Sequence, residues 1–506
     1  MRQDNFRDRY IIKLVSSVII ASLNIVLQTL LPRVLSVESY GYYTYNLNIF
    51  TSVVAVANLS ATNAMSSKFS KRNEEIGLII FYIKFWIVMV IVLNISVMVL
   101  YMTNFVQNTL SGQTIMTTLL ALESVIITKF FSDNIGIFDA MAISRYPAAM
   151  QILLKIILTI VVLAGYFMGR LSLAYFYSSQ IIVTTFIVMV MLRSIFTEQK
   201  RLYPKVIDHG TKAYMREYYE FCKPLVLSST FAQAIIIFMN WSLMRWSGYV
   251  HQAMFGAAWQ LNILVSYIFS PYAELSRREF AVLCEDRELL RNRLLFSFKI
   301  MMWVTCYFAI FIGVESPWIL PIIYGDKYNE ATFVTLLIMV YTVYQAWGQL
   351  EGAFYIATEK AKLYAWISVA GQMFTLALTF FFQIPNFIWP ESLGAVGMAM
   401  TYVVSNFVIT NVSLFIVLRL VGTLSLKNMA SQFIPIAICG SVSFLLRWIL
   451  DTYLPGSAMG DLIGKVLIGG SVYTGVIFLT IWLKPGLINL SREQILSIRK
   501  IKKEVK

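Results

Sequence analysis

ESVIITKFFSD, residues 123–133, has the apolar run of a helix immersed in oil, yet it carries Glu123, Lys129 and Asp133. A charge at mid-bilayer costs about 2.5–3.5 kcal/mol on insertion scales, so such residues face protein or water. At about 100° per residue, Glu123, Lys129, Asp133 and Asn134 fall within about 140° of arc and share one helix face. Whether the surroundings are a membrane decides the fold.

Composition answers that they are. The chain has 506 residues, 58% hydrophobic and only 13% charged, with a mean hydropathy of +0.69; an ordinary soluble domain is about 25% charged. Windows of about 20 mostly apolar residues, the length that crosses a bilayer, recur from end to end. Fourteen are predicted, the first at 11–31 and the last at 462–483, which excludes an ordinary soluble enzyme. The first is long and polar-dotted and is followed by Pro32-Arg33 instead of a small-residue cleavage site, so it reads as a span and not a signal peptide. Cys222, Cys284, Cys306 and Cys439 are scattered without a CxxC pair, and His209 and His251 are the only histidines. Neither disulfide, metal nor cofactor is expected.

Net charge is +14, but its placement speaks of topology, not of nucleic acid. With the N terminus inside, about 32 of the 41 basic residues fall on the cytoplasmic side and about six outside. Both termini are therefore expected in the cytoplasm. The outer loops, 103–113 and 315–331, are too small to fold a catalytic domain, and Glu315, Asp326 and Glu330 there read as solvated surface.

RDRYIIKLVSSVIIASLNIVLQTLLP near the start is echoed by REYYEFCKPLVLSSTFAQAIIIFMNW, aligning Tyr10 with Tyr219 and Asn24 with Gln233. YGYYTYNLNI (40–49) is echoed by FGAAWQLNI (255–263). Parallel repeats predict an all-α integral membrane protein of two pseudo-symmetric six-helix lobes around a central cavity, plus two C-terminal helices. The expected division is an N-terminal lobe at 1–192, a basic cytoplasmic linker at 193–223 and a C-terminal lobe at 224–420. The last two spans follow at 421–483, then a basic tail at 484–506.

LPRVLSVESYGYYTYNL (31–47) resembles the Arg-x-Leu-(Gly)-x-x-x-Tyr-Gly opening of the polysaccharide-biosynthesis flippases. These form the Wzx-type branch of the multidrug/oligosaccharidyl-lipid/polysaccharide (MOP) exporter superfamily. PIIYGDKYNEA (321–331) is similar to that family's Phe/Tyr-Gly-x-x-Tyr segment, EGAFYIATEKAKLY (351–364) to its Ala-x-Gly-Lys turn, and LGAVGMAMTYVVS (393–405) to a Gly-x-x-Gly-x-Ala helix start. Two positions depart from the pattern: Ser36 and Glu359 stand where the family has Gly. The resemblance implies translocation of undecaprenyl-pyrophosphate-linked oligosaccharide repeat units for O-antigen, capsule or exopolysaccharide. It also implies membrane lipids, and a polysaccharide polymerase and chain-length regulator, as partners.

Such a cargo needs amide and hydroxyl partners for sugars and cations for the pyrophosphate, Lys being a mobile point charge that releases its anion. The candidate cavity and head-group residues are Lys13, Asn24, Gln28, Lys84, Lys129, Lys155, Gln233 and Gln345. Glu123, Asp133 and Glu351 are candidates for coupling to a proton or sodium gradient, and Arg33, matching the family's Arg, is a candidate outer gate. Each has a plainer reading beside it. Lys129 and Asp133 at i, i+4 neutralise each other; Lys13, Lys84 and Lys155 snorkel to head groups; Arg33 is an interfacial anchor. The polar stripes Asn48, Ser52, Thr62, Ser66 and Tyr341 to Tyr355 act as glue between helices. The last two spans, which hold few polar residues, form a groove for the polyprenyl tail by resemblance to fourteen-helix relatives, or merely support the fold. Two other functions compete: another MOP exporter (a peptidoglycan-precursor flippase or a cation-coupled drug antiporter), and a polytopic membrane enzyme such as a polysaccharide polymerase.

Overall fold

The computed structural model describes residues 6–72, 74–103, 113–141, 143–202 and 210–488, all helix, turn or loop with no strand among them. The helices are α1 (Phe6–Val34), α2 (Val37–Ala57), α3 (Ala61–Lys71), α4 (Ile76–Met102), α5 (Ile115–Ala140), α6 (Arg145–Phe167), α7 (Leu173–Leu202) and α8 (Thr211–Leu283). Then follow α9 (Arg287–Val314), α10 (Ser316–Tyr324), a 3₁₀ turn (Asp326–Ala331), α11 (Thr332–Ala357), α12 (Ala361–Gln383) and α13 (Gly394–Leu420). The chain closes with α14 (Leu426–Ala430), α15 (Phe433–Tyr453), α16 (Met459–Leu483) and a 3₁₀ turn (Pro485–Ile488).

Twelve described helices are long and apolar enough to cross a membrane, or thirteen when the bent pair α2–α3 counts as one span. One of the twelve, Ser229–Leu283, has 55 residues. At about 1.5 Å per residue it would run far past a bilayer core of about 30 Å. Gly248 divides it: its φ of 82° and ψ of 179° are non-helical and open only to a residue without a Cβ. Counting its two arms separately gives the fourteen expected spans.

By contact the chain falls into two compact units, Met1–Ala253 and Met254–Lys506. Residues 193–223, marked by the sequence as a basic linker, are helical up to Leu202 and again from Thr211.

In the first unit α5 packs on α7, and α1 on α6. The predicted span 43–66 is broken: α2 and α3 meet at 56°, with Leu59 and Ser60 in the left-handed region at φ 49° and 61°. Asn58 holds the break, its Oδ1 accepting from the Thr62 N–H (3.2 Å) and hydroxyl (3.0 Å). Asn48 Nδ2 donates to Asn240 Oδ1 (2.9 Å), which also takes a bond from Gln252 Nε2 (2.9 Å). The Asn48 end of the α2 polar stripe is therefore glue.

In the second unit α11 lies against α9 and α13, and α15 against α9 and α16. The stretch 315–331, expected as an outer loop, is instead folded into α10 and a 3₁₀ turn. Trp318, Leu320, Tyr324 and Tyr328 from it are buried, and Tyr324 Oη donates to the Ala257 carbonyl (3.2 Å).

Candidate functional site

Three helices converge on Asp133. Its carboxylate, 2% exposed, takes the Tyr82 hydroxyl of α4 (2.6 Å) and the Thr62 hydroxyl of α3 (3.1 Å) on Oδ2. Lys129, one turn earlier on α5, ion-pairs with Oδ1. The knot therefore links the break in α2–α3 to the charged face of α5. Tyr82 and Thr62 were not singled out as site residues by sequence; they come from distant stretches, and only Thr62's place on the α2 stripe hinted at a role.

Glu123, two turns toward the other end of α5, is half-buried and accepts from Asn94 Nδ2 of α4 (2.5 Å). No cation pairs with it among the described residues. Lys155, half-buried on α6, likewise has no acceptor for its ammonium among them. Asn24 is buried and Gln28 half-buried on α1, Gln233 is half-buried on α8, and Arg33 is exposed in the last turn of α1. Lys84 is exposed and lines a separate trough beside α8. The side chain of Lys13 lies outside the described residues.

In the second unit Glu351 of α11 is 2% exposed, with Ser413, Tyr355 and Tyr364 as its polar neighbours. Its Oε1 has no hydrogen-bond partner among the described residues, and neither does Oε1 of Gln345, further up the same helix. Trp259, Tyr341 and Tyr402 form a half-buried aromatic cluster with centroids 5.0–5.5 Å apart. The sequence marked Tyr341 only; Trp259 and Tyr402 look like core residues until three helices are brought together.

A polar cluster anchors the last two spans, against the expectation that they hold little polarity. Glu315 is fully buried, not solvated, while Asp326 and Glu330 are exposed. Ser443 Oγ donates to Glu315 Oε1 (2.7 Å), and Arg447 Nη1 to the Val314 carbonyl (3.1 Å). Asp451 accepts from Lys465 Nζ (2.8 Å) and Trp318 Nε1 (3.0 Å) on Oδ1, with Arg447 Nε 3.7 Å from Oδ2. Burial pushes the Glu315 carboxyl, just outside the α9 span, up to about 7; Asp451 adds to the rise, while the Ser443 bond and Arg447 oppose it.

The linkage has a definite sign. Between the ordinary carboxyl value and about 7 the folded chain holds a proton that the unfolded chain has released, so stability from this group falls as pH rises through that window. The loss is at most about 3 kcal/mol. Thermal unfolding between pH 5 and 8 is expected to show this fall, and Glu315→Gln to flatten it and to be the more stable protein at pH 8.

No family model and no curated protein matches the sequence. Among solved structures, an inward-facing multidrug resistance MATE family transporter of the MOP superfamily superposes with a TM-score of 0.64, over 82% of this chain and 98% of its own, at 13% identity. Lipid II flippase MurJ, in an inward closed conformation, gives 0.64 over 91% and 98%, also at 13% identity. The fold is that of the MOP-superfamily transporters. A third MOP transporter, from Pyrococcus furiosus and described by the reverse polarity of its binding pocket, gives 0.57 over 83% and 97% at 13% identity. The chain's long apolar helices, with transporters as structural neighbours, make it a multi-pass membrane protein. At this identity the likeness is one of fold, so the cargo has to be argued from the residues.

Proposed function

We propose that the chain is a flippase that moves undecaprenyl-pyrophosphate-linked oligosaccharide repeat units across the bacterial cytoplasmic membrane by alternating access. The observation that carries this reading is the set of ionisable side chains kept inside spans: Lys129 with Asp133, Glu123, Lys155 and Glu351. Membrane helices retain such groups at a cost of about 2.5–3.5 kcal/mol each where they serve a polar route. Each type suits one part of the cargo. Lys129 and Lys155 offer point charges to a pyrophosphate that must be released again. Trp259, Tyr341 and Tyr402 offer flat apolar faces to sugar rings, and Gln345 an unused amide oxygen. Glu123 and Glu351, which pair with no cation among the described residues, are the proposed carriers of a coupling proton or sodium ion.

A second reading, a cation-coupled exporter of amphiphilic drugs, is supported by the equal TM-score of the MATE transporter. Coverage favours the lipid-linked cargo. The MurJ superposition takes in 91% of the chain and the MATE one 82%.

In a strain deleted for the gene, lipid-linked repeat units are expected to accumulate on the cytoplasmic side. Wild type restores surface polysaccharide, whereas Glu123→Gln and Lys129→Ala lower it by about ten-fold or more, the scale of a lost charge interaction of ~1.4 kcal/mol or above. Glu123→Gln keeps an acceptor for Asn94, so loss there reads function and not folding. Normal surface polysaccharide in the deletion strain, with no other flippase present, defeats the proposal.

A further inference from the structure

A trough of about 550 Å³ runs along the first unit between α4 and the N-terminal arm of α8. Its walls are mostly apolar: Phe81, Phe85 and Val88 on one side, Met215, Tyr219 and Val226 on the other. Val88, Met215 and Tyr219 are 59–65% exposed, and Val88 lies within the span Ile76–Met102, where an exposed side chain meets lipid. Two cations, Lys84 and Lys223, line it, and no carboxylate does among the described residues. Both lysines are exposed, and neither forms an ion pair among those residues. Tyr218 adds a buried hydroxyl, 5% exposed as a residue, with no hydrogen-bond partner among them.

The wall is braced. Arg72, at the end of α3, reaches Glu217 of α8 (Nη2 to Oε2, 2.7 Å), and Lys68 lies 3.7 Å from the same oxygen. Arg72 holds the Glu217 carboxyl below the ordinary range. Glu217 is thus paired, and neither it nor Glu220, three residues before Lys223, lines the trough. The Tyr218 ring packs edge-on against Phe81 at 4.8 Å.

We propose that this trough is a binding site for an anionic phospholipid of the surrounding bilayer. Its phosphate is held by Lys84 and Lys223, and one acyl chain lies along Phe81, Phe85 and Val226. A free anion gains nothing from an apolar bed, and a zwitterionic head group gains little from two uncompensated lysines. Lys84, expected from sequence to meet the cargo's pyrophosphate, serves this lipid instead. The assignment stands apart from the flippase reading and survives if the cargo is another amphiphile.

The full-length protein in detergent, titrated with phosphatidylglycerol or with phosphatidylcholine of the same chains, reports bound lipid by native mass spectrometry. Phosphatidylglycerol is expected to be retained preferentially. Lys84→Ala and Lys223→Ala each weaken it about five-fold, the scale of one basic residue near an anionic surface, and leave phosphatidylcholine unchanged. The double arginine variant, Lys84→Arg with Lys223→Arg, keeps the preference, which separates charge from misfolding. Equal retention of the two lipids, or an unaltered double-alanine variant, overturns the site. So does displacement by glycerol 3-phosphate at concentrations equal to the lipid, which would make the trough a plain anion site. Preferential retention of undecaprenyl phosphate over phosphatidylglycerol also overturns it, by giving the trough to the cargo's carrier.

Discussion

Asp133→Ala is expected to destabilise the protein by about 3–5 kcal/mol, the cost of stripping one partner from a buried ion pair. Three donors point at that carboxylate: Tyr82 at 2.6 Å, Thr62 at 3.1 Å and the Lys129 ammonium. Alanine leaves all three without their acceptor, Tyr82 inside a fully buried site. The Thr62 hydroxyl has Asn58 Oδ1 to fall back on at 3.0 Å, and half-buried Lys129 has a route to solvent. The buried Tyr82 hydroxyl keeps the Thr62 oxygen as a partner at 2.8 Å, so the loss belongs at the lower end of that range. Removing Lys129 alone, as Lys129→Met, leaves an unpaired carboxylate still held by two hydroxyls, so a smaller loss is expected. Combined as Lys129→Met with Asp133→Leu, the two changes are expected to cost far less than their sum, because a buried pair replaced by apolar groups of similar volume is near neutral. Thermal unfolding in detergent of the four proteins measures the coupling. Additive losses would show that the pair is a surface contact of no consequence.

Gly41→Val is expected to be as damaging, for a steric reason. A Cβ on residue 41 would lie 2.1 Å from the carbonyl oxygen of Tyr249 and 2.8 Å from its carbon. The obstacle is backbone, just past the turn at Gly248, so no side-chain rotation relieves it. Accommodating the group means prising α2 from α8. That strains the Thr44 bond to the Gln252 carbonyl (3.3 Å), the Asn48–Asn240 bond and the Tyr42–Tyr249 ring contact at 4.1 Å. Overpacking of a close helix contact costs about 1–3 kcal/mol, and a backbone clash belongs at the top of that range or above it. Gly41→Ala lowers the melting temperature and Gly41→Val lowers it further. A valine protein that melts with wild type would mean that this approach of α2 and α8 is not the ground state in the membrane.

Much of this was legible in the sequence because bilayer thickness fixes the length of each span. Residues 123–133 also showed their common face, since helical period alone places Lys129 and Asp133 together. What the sequence withheld was long-range or backbone in origin. Tyr82 lies 51 positions from Asp133, with no local mark. The break at Leu59-Ser60 carries neither Gly nor Pro, so the span 43–66 looked continuous. Residues 315–331 were read as a loop because of Pro317, Pro321 and their charges, although Pro near a helix start is well tolerated and the run WILPIIY was apolar enough to bury. The two departures from the family pattern turn out to have opposite characters. Ser36 is a sound replacement, capping α2 by accepting from the Ser39 N–H (3.1 Å). Glu359 is a strained one: it sits at φ 60°, where the chain leaves α11 with Lys360 N–H bonded to the Tyr355 carbonyl (2.8 Å), a turn that favours glycine. Gly325 at φ 88° shows the same demand met in the Tyr-Gly-x-x-Tyr segment.

The central claim is that the charges inside the spans serve the passage of a phosphorylated glycolipid. Its most direct test is translocation in proteoliposomes. Purified protein is reconstituted with a fluorescent undecaprenyl-pyrophosphate-linked oligosaccharide in both leaflets, and a membrane-impermeant quencher reads the outer pool over time. The account predicts full quenching with wild type, and only the outer half quenched with Glu123→Gln, Lys129→Ala or empty vesicles. Full quenching by the two variants at the wild-type rate, or none by correctly folded wild type, would contradict it.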